Sequence, residues 1–150
     1  IAEGFTEGMA GWLNSGTPLT VVMAAHGARL EPGHVYINPA EFSMMISELG
    51  MIVLSARDTA KLYNPSCDTL LTSVGTVYRK GAIGLIMSGM GDDGVAGMQS
   101  IKIAGGATLA QDEKSSVVFG MNRVAIERGY IHKIVPLVKI PEELMQRAGV

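Results

Sequence analysis

The segment best equipped for chemistry is Met87-Ser88-Gly89-Met90-Gly91-Asp92-Asp93-Gly94. Here a serine and two adjacent carboxylates are threaded through three glycines, between an apolar run and an amphipathic one. Three chemistries suit such a turn. Gly89, Gly91 and Gly94 satisfy the G-x-G-x-x-G spacing of a dinucleotide-binding loop, and Asp112 falls where a ribose-binding acid would sit. Against that, Asp92 and Asp93 would aim two negative charges into a loop built to hold pyrophosphate on bare N–H groups. In the second reading, one of the two aspartates caps the following helix by accepting its free N–H groups. In the third, one aspartate is the acid of a Ser-His-Asp triad, held rigidly so that it orients an imidazole and stabilises the imidazolium. Spacing does not choose between capping and catalysis.

The surrounding elements follow from periodicity. Phe5, Met9, Trp12 and Leu13 recur at i, i+4, i+7 and i+8, one face of a helix closed by Asn14-Ser15-Gly16. Leu19–Ala25 and His34–Ile37 read as strands, separated by the turn Glu31-Pro32-Gly33. Phe42–Ser47 and Met51–Leu54 read as a hairpin about Glu48-Leu49-Gly50. Asn64-Pro65-Ser66 precedes a helix with Leu70, Leu71, Val74, Val77 and Tyr78 on its apolar positions and Gly81 as its stop. Ala82–Met87 is continuously apolar, as a strand covered on both faces should be. Beyond the glycine-rich turn come a helix over Val95–Ala104, a strand over Ala107–Ala110, a helix over Asn122–Arg128 and a strand over Ile131–Val135. A last helix opens at Pro141, with Glu142 and Glu143 at its positive end. This alternation predicts an α/β fold: a mostly parallel, doubly wound, Rossmann-like sheet with helices on both faces and an antiparallel hairpin. In open parallel sheets ligands bind at the carboxyl ends of strands, which is where the glycine-rich turn lies.

Composition narrows the function classes. A hydrophobic fraction of 47% against 17% charged residues describes a chain that buries a core, not a disordered one. With a net charge of -2 and no block of Lys or Arg, nothing draws the chain to nucleic acid. No apolar run approaches the ~20 residues that span a bilayer. The one cysteine, Cys67, rules out an intramolecular disulfide and suits a reducing cytoplasm. His26, His34 and His132 lack the spacing of a zinc site. There is no internal repeat or linker, and residues 1–150 read as one domain. The chain opens on Ile1-Ala2-Glu3 without Met or a signal-type segment, which reads as a start inside a longer protein.

Five segments, in order, carry a family resemblance. Gly4-Phe5-Thr6 resembles P-G-F-T, and Glu31-Pro32-Gly33-His34-Val35-Tyr36-Ile37 with Pro39 resembles L-P-G-H-x-Y-I-A-P. Pro65-Ser66-Cys67-Asp68 resembles P-S-V-D, and Ser88–Met98 resembles T-G-M-G-x-D-G-x-x-G-M. Ala110-Gln111-Asp112-Glu113, Ser116 and Val117–Met121 resemble A-Q-x-E-x-S-x-V-x-G-M-P. Together they resemble the catalytic domain of bacterial chemotaxis protein-glutamate methylesterases.

That resemblance implies a serine hydrolase which removes methyl esters from receptor glutamates, can deamidate receptor glutamines, and needs no metal or organic cofactor. It makes Asp93 the triad acid and places Met90, flanked by Gly89 and Gly91, in the oxyanion and substrate pocket. The family's nucleophilic serine and catalytic histidine match no residue here; the histidine position falls just before Ile1. By this reading the first strand or strands are missing and residues 1–150 alone are inactive. A receptor is the implied partner, and a receiver domain usually precedes the family's catalytic domain. The competing class is a non-catalytic module that binds receptor or another chemotaxis protein. Asn64 and Asn122 depart from the family's usual Arg and Pro. His34 matches a hairpin position, and Ser66 reads as a helix N-cap. Cys67 sits where a helix dipole could lower its pKa, but with no histidine nearby in sequence it reads as structural.

Overall fold

The computed structural model describes residues 4–58, 60 and 62–149. Five α-helices and seven strands alternate much as the periodicity requires. α1 (Phe5–Ser15) leads to β1 (Thr20–Met23) and β2 (His34–Ile37), then β3 (Phe42–Ile46) and β4 (Ile52–Ala56). The second half runs α2 (Cys67–Tyr78), β5 (Ile83–Ile86), α3 (Val95–Ile103), β6 (Ala107–Gln111), α4 (Met121–Glu127), β7 (Lys133–Val135) and α5 (Ile140–Ala148).

The fold is α/β with parallel strands and one antiparallel hairpin, in three ladders. β5, β6 and β7 form a parallel sheet in that order, with Leu85 opposite Leu109 and Ala110 opposite Ile134. β1 and β2 form a second parallel pair. β3 and β4 form the expected hairpin, with Met44 opposite Leu54. Two details differ from the sequence reading. His34 pairs in parallel with Thr20, so it stands on a crossover-connected strand and not in a hairpin. α2 stops at Tyr78, before Gly81, because Arg79 turns left-handed at φ 49 and a 3-10 turn carries the chain to Gly81.

Strand alternation sends side chains to both faces of the β5–β6–β7 sheet. On one face Ile86 and Ala110 pack with Val95 and Met98 of α3 and Ala125 of α4. On the other, Leu109 and Val135 pack with Ile140 and Leu144 of α5. This sheet therefore has helices on both faces. A separate core of Ala24, Met44, Ile46 and Ile52 seats the hairpin against Leu70, Val74 and Val77 of α2.

α2 and α3 pack closely because two glycines leave room. A Cβ on Gly97 would lie 2.4 Å from the Leu71 Cβ, and one on Gly75 3.1 Å from the Ile101 backbone. Ridges without side chains let two helix backbones approach. The consequence is positional: the N-termini of both helices arrive at the carboxyl end of β5.

Candidate functional site

The strand β5 ends at Ile86, and Met87–Gly94 forms the turn into α3. Its geometry depends on glycine at two places. Gly91 holds φ +91, a left-handed conformation that L side chains rarely adopt, and a Cβ there would lie 2.9 Å from the Tyr63 hydroxyl. A Cβ on Gly89 would meet the Met121 Cε at 2.2 Å. This contact arises because the turn is docked onto the start of α4. The Gly89 N–H donates to the Val118 carbonyl at 3.0 Å, and the Gly89 carbonyl accepts from the Gly120 and Met121 N–H groups at 3.1 and 3.2 Å.

Ser88 belongs to the same scaffold. Its hydroxyl donates to the Val118 carbonyl at 3.3 Å and accepts from the Val118 N–H at 3.0 Å, while its own N–H donates to Gln111 Oε1 at 3.0 Å. Gln111 is buried at the tip of β6, and its amide nitrogen donates to the Ser115 carbonyl at 2.7 Å. Asn122, also buried, donates from Nδ2 to the Gln111 carbonyl at 2.9 Å. Asn122 thus braces the tip of β6 against the start of α4. The sequence quoted Gln111 and Asn122 as motif letters without assigning either this role.

Asp93 is half-buried, and both its oxygens are held by the N-terminus of α2. Oδ1 accepts from the Ser66 hydroxyl at 2.9 Å and the Asp68 N–H at 3.0 Å. Oδ2 accepts from the Cys67 N–H at 2.7 Å. The Cys67 thiol reaches the same carboxylate, so the Asp93 side chain is held from several sides at once. The site opposes the positive end of a helix dipole, which favours a negative charge there. Ser66 is the N-cap the sequence indicates, its hydroxyl also accepting from the Thr69 N–H at 3.3 Å.

Neither Asp92 nor Asp93 caps α3, which corrects the capping expectation. Gly94 stands at the N-cap with no side-chain cap of its own. The cap comes from α2: Asp68 Oδ1 accepts from the Gly94 N–H at 2.9 Å and the Gly97 N–H at 2.7 Å. These are the groups on which a dinucleotide pyrophosphate would rest. A carboxylate already fills that anion seat, and the cofactor reading loses its physical basis.

Asp92 differs from its neighbour. It is exposed, and Oδ1 accepts from the Tyr63 hydroxyl at 2.9 Å. That hydrogen bond, with the neighbouring carboxylates, raises the Tyr63 phenol above its ordinary value. Met90 has 86% of its surface exposed, so it is no core filler. Beside Ser66 and Cys67 lies a cleft of about 100 Å³ lined also by Asn38, Met44, Pro65 and Leu70.

Cys67 does not behave as a helix-activated thiol. Desolvation first, then the Asp93 carboxylate, pushes it up to about 11, although the residue as a whole is exposed. Burial and the carboxylates of Asp93 and Asp68 all disfavour the thiolate. The histidines serve local bonding. His26 Nδ1 accepts from the Leu54 N–H, His34 Nδ1 lies 3.1 Å from the Pro32 carbonyl oxygen, and His132 Nδ1 accepts from the Thr108 N–H. Among the described residues no serine hydroxyl is hydrogen-bonded to an imidazole, and no cluster of His, Cys, Asp and Glu could hold a metal ion. Nor is any described helix long and apolar enough to cross a membrane. Gly4-Phe5-Thr6 opens α1, with Thr6 buried; Ile1, which the sequence places next to the histidine position, lies outside the described residues.

The family model described as CheB methylesterase matches residues 1–144. The chain belongs to the CheB methylesterase family. Among curated CheB relatives, the protein-glutamate methylesterase/protein-glutamine glutaminase 3 of Paramagnetospirillum magneticum is 50% identical over 99% of this chain and 42% of its own length. The protein-glutamate methylesterase FrzG of Myxococcus xanthus is 44% identical over 97% of this chain and 44% of its own. The chain thus spans less than half the length of these relatives. The crystal structure of the CheB methylesterase catalytic domain of Thermotoga maritima matches with a TM-score of 0.91 and 36% identity, over 97% of this chain and 79% of that one. The α/β architecture is therefore that of the CheB catalytic domain.

Proposed function

We propose that residues 1–150 form part of one catalytic domain of a protein-glutamate methylesterase, with Asp93 as the acid of a Ser-His-Asp centre. The supporting observation is the hold on its carboxylate: three donors from the N-terminus of α2 fix its plane at the carboxyl end of β5. A triad acid must be immobile if it is to orient an imidazole. The serine and histidine are supplied from elsewhere in the protein, since no described serine is bonded to an imidazole. The serine oxygen attacks the ester carbonyl of a receptor glutamate while the histidine takes its proton. The backbone at Met90, between Gly89 and Gly91, faces the developing oxyanion. Donors of that kind are typically worth about 10²–10³ in rate. Methanol then leaves, and water releases the acyl-enzyme as free carboxylate. On a glutamine the same sequence releases ammonia, in keeping with the double name that several relatives carry. The partner is a methyl-accepting chemotaxis receptor presented in the cytoplasm, with a receiver domain regulating access. Neither nucleic acid nor membrane insertion has a part.

The test is methanol release from methylated receptor by the full-length protein. Asp93→Asn should reduce turnover by about 10⁴, the loss such a change causes when it leaves the histidine in the wrong tautomer. Asp92→Asn, at the exposed neighbour, should cost less than about fivefold. Equal losses at the two positions would remove Asp93 from the triad. Residues 1–150 alone should release no methanol, and turnover by them would place the nucleophile inside this chain.

A further inference from the structure

The P-S-x-D stretch is a motif that the hydrolytic steps leave without work. We propose that Ser66 and Asp68 are positioning residues for Asp93, which makes the first turn of α2 part of the catalytic apparatus. This rests on Asp93 being the triad acid.

The argument is geometric. A carboxylate two residues ahead of a helix, in a turn with glycine on either side, has two soft side-chain torsions and a backbone free to shift. From α3 it gains only backbone support, the Val95 N–H donating to the Asp92 carbonyl at 3.1 Å, for Gly94 is the N-cap and lends no side chain. Restraint comes from α2 at two levels. Ser66 Oγ donates to Oδ1 at 2.9 Å, and the Cys67 and Asp68 N–H groups complete a three-point cradle that fixes the carboxylate plane. Asp68 then fixes the backbone beneath, because its Oδ1 binds the N–H of Gly94, the residue next to Asp93, and of Gly97 one turn on. Ser66 governs the torsions and Asp68 the position of the Cα. Neither touches the reacting atoms. A displacement of about 1 Å in a reacting array can cost 10²-fold in rate, so a positioning role here is visible in turnover.

Ser66 also caps α2 through the Thr69 N–H, so a loss of activity on its removal has a structural explanation as well. A double-mutant cycle separates the two. In the full-length protein, Ser66→Ala should lower kcat about tenfold and leave KM within about twofold. Ser66→Thr, which keeps the hydroxyl, should restore most of the rate. In an Asp93→Asn background Ser66→Ala should cost nothing further, because the group it positions is already disabled. Asp68→Asn keeps an oxygen acceptor for Gly94 and Gly97 and should retain most activity, whereas Asp68→Ala should lose about tenfold or more in kcat. Thermal unfolding of each variant identifies any that fails to fold, and the Thr and Asn variants carry the test in that event. If Ser66→Ala costs the same with Asp93 present or replaced, or if Ser66→Thr is as impaired as Ser66→Ala, the positioning role is wrong while the triad assignment stands. If Asp93→Asn is itself harmless, the hydrolase reading fails and takes this proposal with it.

Discussion

Asp68 and Asp93 exchange caps: each carboxylate binds the first N–H groups of the helix that the other belongs to or leads into. Asp93 accepts from Cys67 and Asp68 at the start of α2, and Asp68 accepts from Gly94 and Gly97 at the start of α3. Two helix N-termini, each equivalent to roughly half a positive charge, would repel where they converge. One carboxylate on each turns that repulsion into mutual support. The arrangement depends on the close approach of α2 and α3, so the packing between them bears on the site as directly as the acids do.

Gly97 tests that dependence. Its Cβ would lie 2.4 Å from Leu71 Cβ and 3.3 Å from the Asp68 Cα, contacts that only a helix shift relieves. Gly97→Ala should therefore lose about 1–3 kcal/mol in urea unfolding of the intact protein, despite alanine's better helix propensity. Gly11→Ala, where nothing lies within 4 Å, should gain about 0.5–1 kcal/mol from propensity alone. Gains at both positions would mean that α2 and α3 do not pack this tightly.

Cys67 reports the charge beside Asp93. With its thiol pushed up to about 11, alkylation by iodoacetamide should rise about tenfold per pH unit from pH ~8 to ~10, since only the thiolate reacts. Asp93→Asn removes the second cause of the shift and should move the whole rate profile to lower pH, as followed by intact-mass spectrometry. A plateau by pH ~9 in the unsubstituted protein would contradict the assigned surroundings of the sulfur.

Glu143 links α5 to β7. It is buried between Lys133 and Arg147, accepting from both, and the Lys133 ammonium first among them holds its carboxyl below the ordinary value of 4.5. A carboxyl depressed in the folded state contributes stability above its unfolded pKa and loses it as pH falls through the folded one. Glu143→Gln should lower the urea midpoint at pH ~7, and the gap should close by pH ~3. A gap that persists in acid would assign the loss to packing instead of charge.

Much of this was legible in the sequence, for identifiable reasons. The strands at β2 and β5 and the helix at α3 follow from short apolar runs and helical spacing bounded by glycine, which local physics controls. The P-S-x-D and G-x-D-G stretches could each be read, but not the bond between them. Ser66 and Asp93 lie 27 positions apart, and a cap donated by another helix leaves no trace in local spacing. Asp68, read only as the last letter of its motif, gave no sign of capping α3 for the same reason. The parallel pairing of β1 with β2 was equally hidden, since a turn signal between two strands favours a hairpin unless a third element is known. For Cys67 the absence of a histidine nearby pointed to a structural thiol, while the burial and the Asp93 carboxylate that raise its pKa come from tertiary packing.

The interlocked caps also bear on how the molecule comes apart. Their bonds join positions 25 to 29 residues apart, so the first turns of α2 and α3 cannot fray separately. Opening either one releases donors on both, and the two termini form a single cooperative unit rather than two mobile ends. The part of the chain that carries Asp93 thereby draws its rigidity from a long-range closure, and its local opening free energy approaches that of the α2–α3 pair as a whole.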